Sequence, residues 1–198
     1  CNASMGILGV FYALGLANKE IITTPLTWSG ALSGLNILNC KVKFCDVEPV
    51  FLTLDPKKLE SLISKSTKAV FTADFLGYPA KLDEIRKICD KNNVLLIHDA
   101  ASSFGSLYKG KFSGYFADVV ILSFGQRKIL SLGEGGAILS NKLNINSKIE
   151  KFLMHPDRKS TQGIGHFPFS LNMNLSPAGA QVGNRIFKSR IAAIEQRI

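Results

Sequence analysis

The chain has 198 residues, 46% of them hydrophobic and 20% charged, a balance that supports one packed domain and excludes a disordered or fibrous chain. Net charge is +9, with 3 His and 4 Cys. None of Cys1, Cys40, Cys45 and Cys89 forms a C-x-x-C pair, which excludes a zinc framework and fits reduced thiols in the cytoplasm better than a disulfide scaffold. No apolar run reaches the ~18 residues of a membrane span, and the bases are dispersed without a nucleic-acid signature. Neither a membrane nor a nucleic acid is therefore expected as a partner, while the positive charge suits a phosphorylated small molecule.

Apolar strands alternate with amphipathic helices along the chain. A helix is predicted over Met5 to Leu16, then a short strand, Ile21 to Thr24, ended by Pro25. A second helix over Thr27 to Leu38 leads to a strand from Lys41 to Val47. Asp55-Pro56 caps and opens a helix running to Ile63, with proline in the first turn where its missing N–H costs nothing. Lys68 to Ala73 is a strand. Leu82 to Asn92 is a helix with acids early and bases late, which suits the helix dipole. Strands follow at Val94 to Asp99, Ala117 to Phe124 and Ala137 to Ser140, then a helix from Ile145 to Leu153. Thr161 to Asn174 is a loop rich in Gly, Pro and Phe, and Pro177 to Ile198 is a long helix. This alternation predicts a three-layer α/β/α fold with a mostly parallel sheet, its strands apolar because helices cover both faces. The first residue is Cys inside what reads as a helix start, so the sequence is read as a fragment. Residues 1–175 are expected to form one domain, and the long helix of residues 176–198 is expected to lead away from it toward further sequence.

Two strand ends carry chemistry. Val94-Leu95-Leu96-Ile97-His98-Asp99 places an acid at the tip of one buried strand. Ser123-Phe124-Gly125-Gln126-Arg127-Lys128 places a serine and then a lysine beyond another, followed by the turn Gly133-Glu134-Gly135-Gly136. In open α/β sheets ligands bind beyond the carboxyl ends of the strands, where both groups fall. A lone lysine is most often a solvated surface charge, and the pairing with Asp99 is what lifts Lys128 above that reading. Asn2-Ala3-Ser4-Met5 could hold a phosphate on its free amides and hydroxyl, or could be a plain helix cap. Trp28, the single Trp, would by default sit in the core. Together these are the parts of a pyridoxal phosphate (PLP) site. Such a site needs a lysine for Schiff-base formation with the cofactor aldehyde, an acid facing the pyridine nitrogen, hydroxyls and amides for the phosphate, and an aromatic ring for stacking.

The ordered motifs make the chain resemble the DegT/DnrJ/StrS sugar aminotransferases of PLP fold type I, over nearly all of its length. Asn2-Ala3-Ser4-Met5 resembles the family's S-G-T-A/M turn, Pro25-Leu26-Thr27-Trp28 its P-S-x-T-W/F element, Phe44-Cys45-Asp46-Val47 its F-V-D-V, and Leu76-Gly77-Tyr78-Pro79-Ala80 its L-Y-G-x-P-A. His98-Asp99-Ala100-Ala101 is similar to E-D-A-A, Ser123 to Lys128 with Gly133 to Gly136 resemble S-F-x-x-x-K and G-E-G-G, and Asn172 with Ser176 resembles N-x-R-M-S.

The resemblance implies a PLP-dependent transferase large domain. Lys128 would be the Schiff-base lysine and proton shuttle, Asp99 the ring-nitrogen partner and Trp28 the stacking face. Ser4, the Met5 backbone and Ser123 would form the phosphate cradle. Asn172 would serve the partner subunit of a homodimer with shared active sites. The implied activity is transfer of an amino group from an amino acid, expected to be glutamate, to a nucleotide-diphosphate keto sugar in amino-sugar or polysaccharide biosynthesis. No metal is involved. The chain departs from the pattern at Ser102, where Gln usually stands near the cofactor's ring hydroxyl, at Asp74, where His is usual, and at Asn174, where Arg or Lys is usual. A lyase or dehydratase of the same fold and a ligand-binding relative without activity are the alternatives. Relatives that dehydrate sugars carry His at the lysine position, which Lys128 argues against.

Overall fold

The computed structural model describes residues 1–154 and 171–195. Its main sheet has six strands: β1 (Glu20–Thr23), β2 (Lys41–Phe44), β3 (Thr67–Ala73), β4 (Leu95–Asp99), β7 (Val119–Ser123) and β8 (Gly136–Leu139), in the order β2-β1-β3-β4-β7-β8. The first five are parallel and β8 runs antiparallel to β7. Between β4 and β7 lie a two-strand hairpin, β5 (Leu107–Tyr108) and β6 (Lys111–Phe112), and a 3-10 turn at Ser113–Phe116, none of which the sequence predicted.

Strand alternation divides the core in two. Ala69, Phe71, Ile97, Val119 and Ile121 face α1 (Ala3–Ala13), α2 (Ser29–Ile37) and α5 (Leu143–Leu153). Val70, Leu96, Val120 and Leu122 face α3 (Pro56–Leu62) and α4 (Leu82–Asn92). The three-layer arrangement is therefore present as expected. The edge strands correct one detail. Neither β2 nor β8 has a fully buried residue, so continuous burial holds only for the inner strands.

Helix boundaries follow local signals. Asn2 caps α1, its Oδ1 accepting from Met5 N at 3.1 Å. Asp55 caps α3 by accepting from Lys57 N at 2.9 Å, with Pro56 next to it. Asn93 ends α4 in the left-handed conformation at φ 52°. The last described helix, α6 (Pro177–Glu195), reaches back to the domain. The Phe187 ring meets Phe104 edge-on at 6.4 Å, and a β-carbon at Gly105 would stand 2.9 Å from Ile194. The predicted loop at Thr161 to Asn174 lies outside the described residues up to residue 170, as do residues 196–198.

Candidate active site

Asp99 and Ser123 end two neighbouring parallel strands, and both side chains belong to the face that packs on α1. Beyond β7 the chain makes an excursion that carries Lys128. Backbone bonds from Phe124 N to Gly135 O at 2.9 Å and from Leu132 N to Phe124 O at 2.8 Å clip it shut, and Lys128 N donates to Gly125 O at 3.0 Å. The lysine is thus placed by a closed loop. Its ammonium has no ion-pair partner among the described residues.

Two adjoining cavities share Trp28, Asp99, Ala101 and Lys128 as walls. The larger, about 530 Å³, is completed by the start of α1 (Ser4 among its residues), by Ser123 and by Arg127. The smaller, about 310 Å³, extends over Asp74, Leu76 and Ser102. Asp99 and Lys128 are therefore both walls of the same two adjoining cavities.

Two glycines allow close approaches next to these walls. A β-carbon at Gly30 would lie 2.7 Å from Trp28 Nε1 and 3.1 Å from Ser4 Oγ. One at Gly136 would meet Ala3 N at 3.0 Å, so that glycine lets the α1 amino end close on the sheet. Trp28 itself is 76% exposed, which overturns the default core placement. Its ring folds back over the start of α2 and forms an open wall.

Asp99 is buried. Burial pushes its carboxyl above the ordinary range, while the Ala101 amide, bonded to Oδ1 at 3.0 Å, and the charges of His98 and Lys128 pull it back. A protonated ring nitrogen set against this buried carboxylate would further favour its ionised form.

Other predicted residues fall into place less completely. The Met5 amide is already bonded to Asn2 Oδ1, and Met5 lines neither cavity, so the amides left at the helix end are those of Ala3 and Ser4. Ser102 lines the smaller cavity, but its hydroxyl donates to Asp74 O at 2.8 Å. Asn172 is exposed, outside both cavities, and accepts from Asn174 Nδ2 at 3.1 Å. Arg127 and Gln126 line the larger cavity without having been singled out in the sequence. Their place beside Lys128 in a strand-end loop was the available signal.

The fold is an α/β domain with a mostly parallel sheet whose strand ends carry the candidate site. The sequence profile of the DegT/DnrJ/EryC1/StrS aminotransferase family matches residues 1–198, and the chain belongs to that family. It is similar, at 39% identity over 99% of its length, to a UDP-4-amino-4,6-dideoxy-N-acetyl-beta-L-altrosamine transaminase of Campylobacter jejuni, 53% of which it covers. A UDP-2-acetamido-2-deoxy-3-oxo-D-glucuronate aminotransferase of Pseudomonas aeruginosa is 35% identical over 91% of the chain and 50% of that protein. Among solved structures, the aminotransferase from Psychrobacter cryohalolentis superposes with a TM-score of 0.85 at 25% identity, covering 94% of this chain and 50% of the other. The chain thus spans about half the length of the curated relatives it matches. Among the described residues no helix is long and apolar enough to cross a membrane, and no cluster of His, Cys, Asp and Glu is grouped to hold a metal.

Proposed function

We propose that this chain is the cofactor-binding part of a pyridoxal phosphate-dependent aminotransferase acting on a nucleotide-linked keto sugar. The observation that carries the reading is that Asp99 and Lys128 line the same cavity, together with Ser4 and Ser123. When bound, the cofactor supplies an aldehyde for amine capture and a ring that takes up the electron pair released at the substrate carbon. The residues fit it: Gly30 leaves room between Ser4 and Trp28, the hydroxyls of Ser4 and Ser123 flank an amino helix end that favours phosphate, and Asp99 offers a carboxylate to the ring nitrogen. Trp28, which lines both cavities, would offer its indole to the ring face. Lys128, unpaired among the described residues, holds the cofactor and moves a proton at the substrate carbon.

Two relatives named as acting on UDP-linked sugars support a nucleotide sugar as acceptor, and the +9 charge suits its diphosphate. Glutamate as donor, a homodimer in which Asn172 enters the partner's site, a cytoplasmic setting, and a smaller domain following α6 belong to the same proposal. The test is borohydride reduction of the cofactor-loaded protein followed by peptide mapping. Attachment at Lys128 is expected, and a label found elsewhere sinks the assignment. Incubation with glutamate and the keto sugar should release 2-oxoglutarate in step with the aminated sugar.

A further inference from the structure

Behind Asp99, on the α3/α4 face of the sheet, lies a buried pair that the reaction chemistry leaves unused. His98 is fully buried, and strand alternation turns its ring away from the cavity that Asp99 faces. Its Nε2 stands 2.9 Å from Asp74 Oδ1, with both side chains closed to solvent. The ring N–H is out of line with the carboxylate, so neither ring nitrogen completes a hydrogen bond among the described residues. The 2.9 Å separation is already hydrogen-bonding distance, so only the ring's orientation stands between the pair and a bond. An imidazole buried without partners is costly, which makes such alignment the favourable outcome.

Asp74 is a junction. Its Oδ1 accepts from Ala80 N at 2.9 Å and its Oδ2 from Ser103 Oγ. Its carbonyl accepts from Ser102 Oγ at 2.8 Å, and its amide donates to Asp99 O at 3.1 Å. Two of these attachments, Asp99 and Ser102, belong to residues that wall the candidate site. The family pattern puts an imidazole where Asp74 stands and an acid where His98 stands. This chain carries the same two groups with their places exchanged. Changing position 74 alone would have set two buried acids against each other, so the two departures read as one compensated exchange.

We propose that His98 and Asp74 act as a positioning pair for Asp99. The imidazole donates to the Asp74 carboxylate, and Asp74 in turn fixes the end of β4 and the turn at Ser102. The inference rests on the reading of Asp99 as the group that faces the cofactor.

The first measurement needs no cofactor. A long-range proton–nitrogen spectrum of the imidazoles, of which the sequence has 3, should show a bonded His98 ring N–H that is lost in Asp74→Asn. Its absence in the native protein overturns the pair. The second measurement uses the cofactor-loaded protein. Asp74→Asn and His98→Gln should each weaken cofactor binding at least about tenfold and shift the cofactor's visible absorbance. The exchanged double variant Asp74→His/His98→Asp should recover both. Single variants with native spectrum and affinity, or a folded double variant no better than the singles, overturn the positioning role. Failure of the native protein to bind pyridoxal phosphate would instead reject the proposed function, leaving the imidazole spectrum to decide the pair.

Discussion

Asp99 sits where function and stability oppose each other. Its carboxyl is raised by burial, its Oδ1 already takes the Ala101 amide, and the nearest compensating charge from the site is Lys128. Asparagine keeps that amide bond and removes the cost of a buried charge. Asp99→Asn should therefore stabilise the cofactor-free protein by about 0.5–2 kcal/mol while weakening cofactor binding, as expected of a site that trades stability for activity. Thermal melts with and without pyridoxal phosphate check both signs, and a less stable cofactor-free variant would recast Asp99 as a structural acid. That Lys128, Asp99, Ser4 and Ser123 would line one cavity was legible in the sequence, because each sits at or just beyond a strand end or helix start. The exposure of Trp28 was not legible from the residues alone, because nothing local distinguishes an indole that packs inward from one that folds over Gly30. The pairing of Asp74 with His98 was not legible: Asp74 stood out alone as a departure, and His98 was read only as part of the strand-end block. Residues 24 positions apart become a pair only when β3 and β4 align Thr72 with His98. Two of the four thiols, by contrast, are held out of the nucleophilic range: burial pushes Cys45 up to about 11 and Cys89 up to about 12.

The parallel sheet places the site, and one buried carboxylate secures the strands that carry it. Asp118, just before β7, accepts from Leu96 N at 2.7 Å and from Arg86 Nη1 at 2.9 Å, and is also bonded to Lys142 ahead of α5. It thereby joins α4, β4, β7 and the approach to α5. Burial alone would raise its carboxyl, but these three donors together hold it below the ordinary range. Asp118→Ala removes one partner of a buried pair and should cost about 3–5 kcal/mol. The depressed folded value fixes the pH dependence. The ionised pair contributes fully above the unfolded carboxyl's value of about 3.9 and loses its contribution as pH falls through the lower folded value. Urea unfolding of both proteins at pH 7 and at pH 3 should show the gap narrowing in acid, and an unchanged gap would mean the loss came from packing. The sequence predicted the strands and helices that this network joins because their apolar periods are clear. It missed the hairpin at β5 and β6, whose two-residue strands are too short to show alternation, and the direction of β8, which depends on how the Gly133 to Gly136 turn returns the chain.

At the scale of the molecule, the parallel strands deliver the segments after β1, β2 and β3 to the same end of the sheet, and those segments carry bare apolar groups. Leu76 is 77% exposed, Val50 71% and Tyr78 55%, with the Tyr78 ring 5.0 Å from Phe51 and Leu76 walling the smaller cavity beside Trp28. An apolar rim continuous with a site marks a contact surface. A second copy of the chain is the occupant that the proposed sharing of Asn172 requires. Each copy brings a net charge of +9, so two copies repel one another at long range while the rim draws them together. Raising ionic strength from about 0.01 M to about 0.15 M shortens the screening length from about 30 Å to about 8 Å, which weakens the repulsion and leaves the apolar contact in place. Sedimentation equilibrium should therefore show association strengthening with salt, the opposite of an interface held by ion pairs. The double variant Leu76→Glu/Tyr78→Glu should weaken it at least about tenfold, corresponding to about 1.4 kcal/mol. A native protein that stays monomeric at both salt concentrations would show that this rim meets something other than its own copy, and the shared site would fall with it.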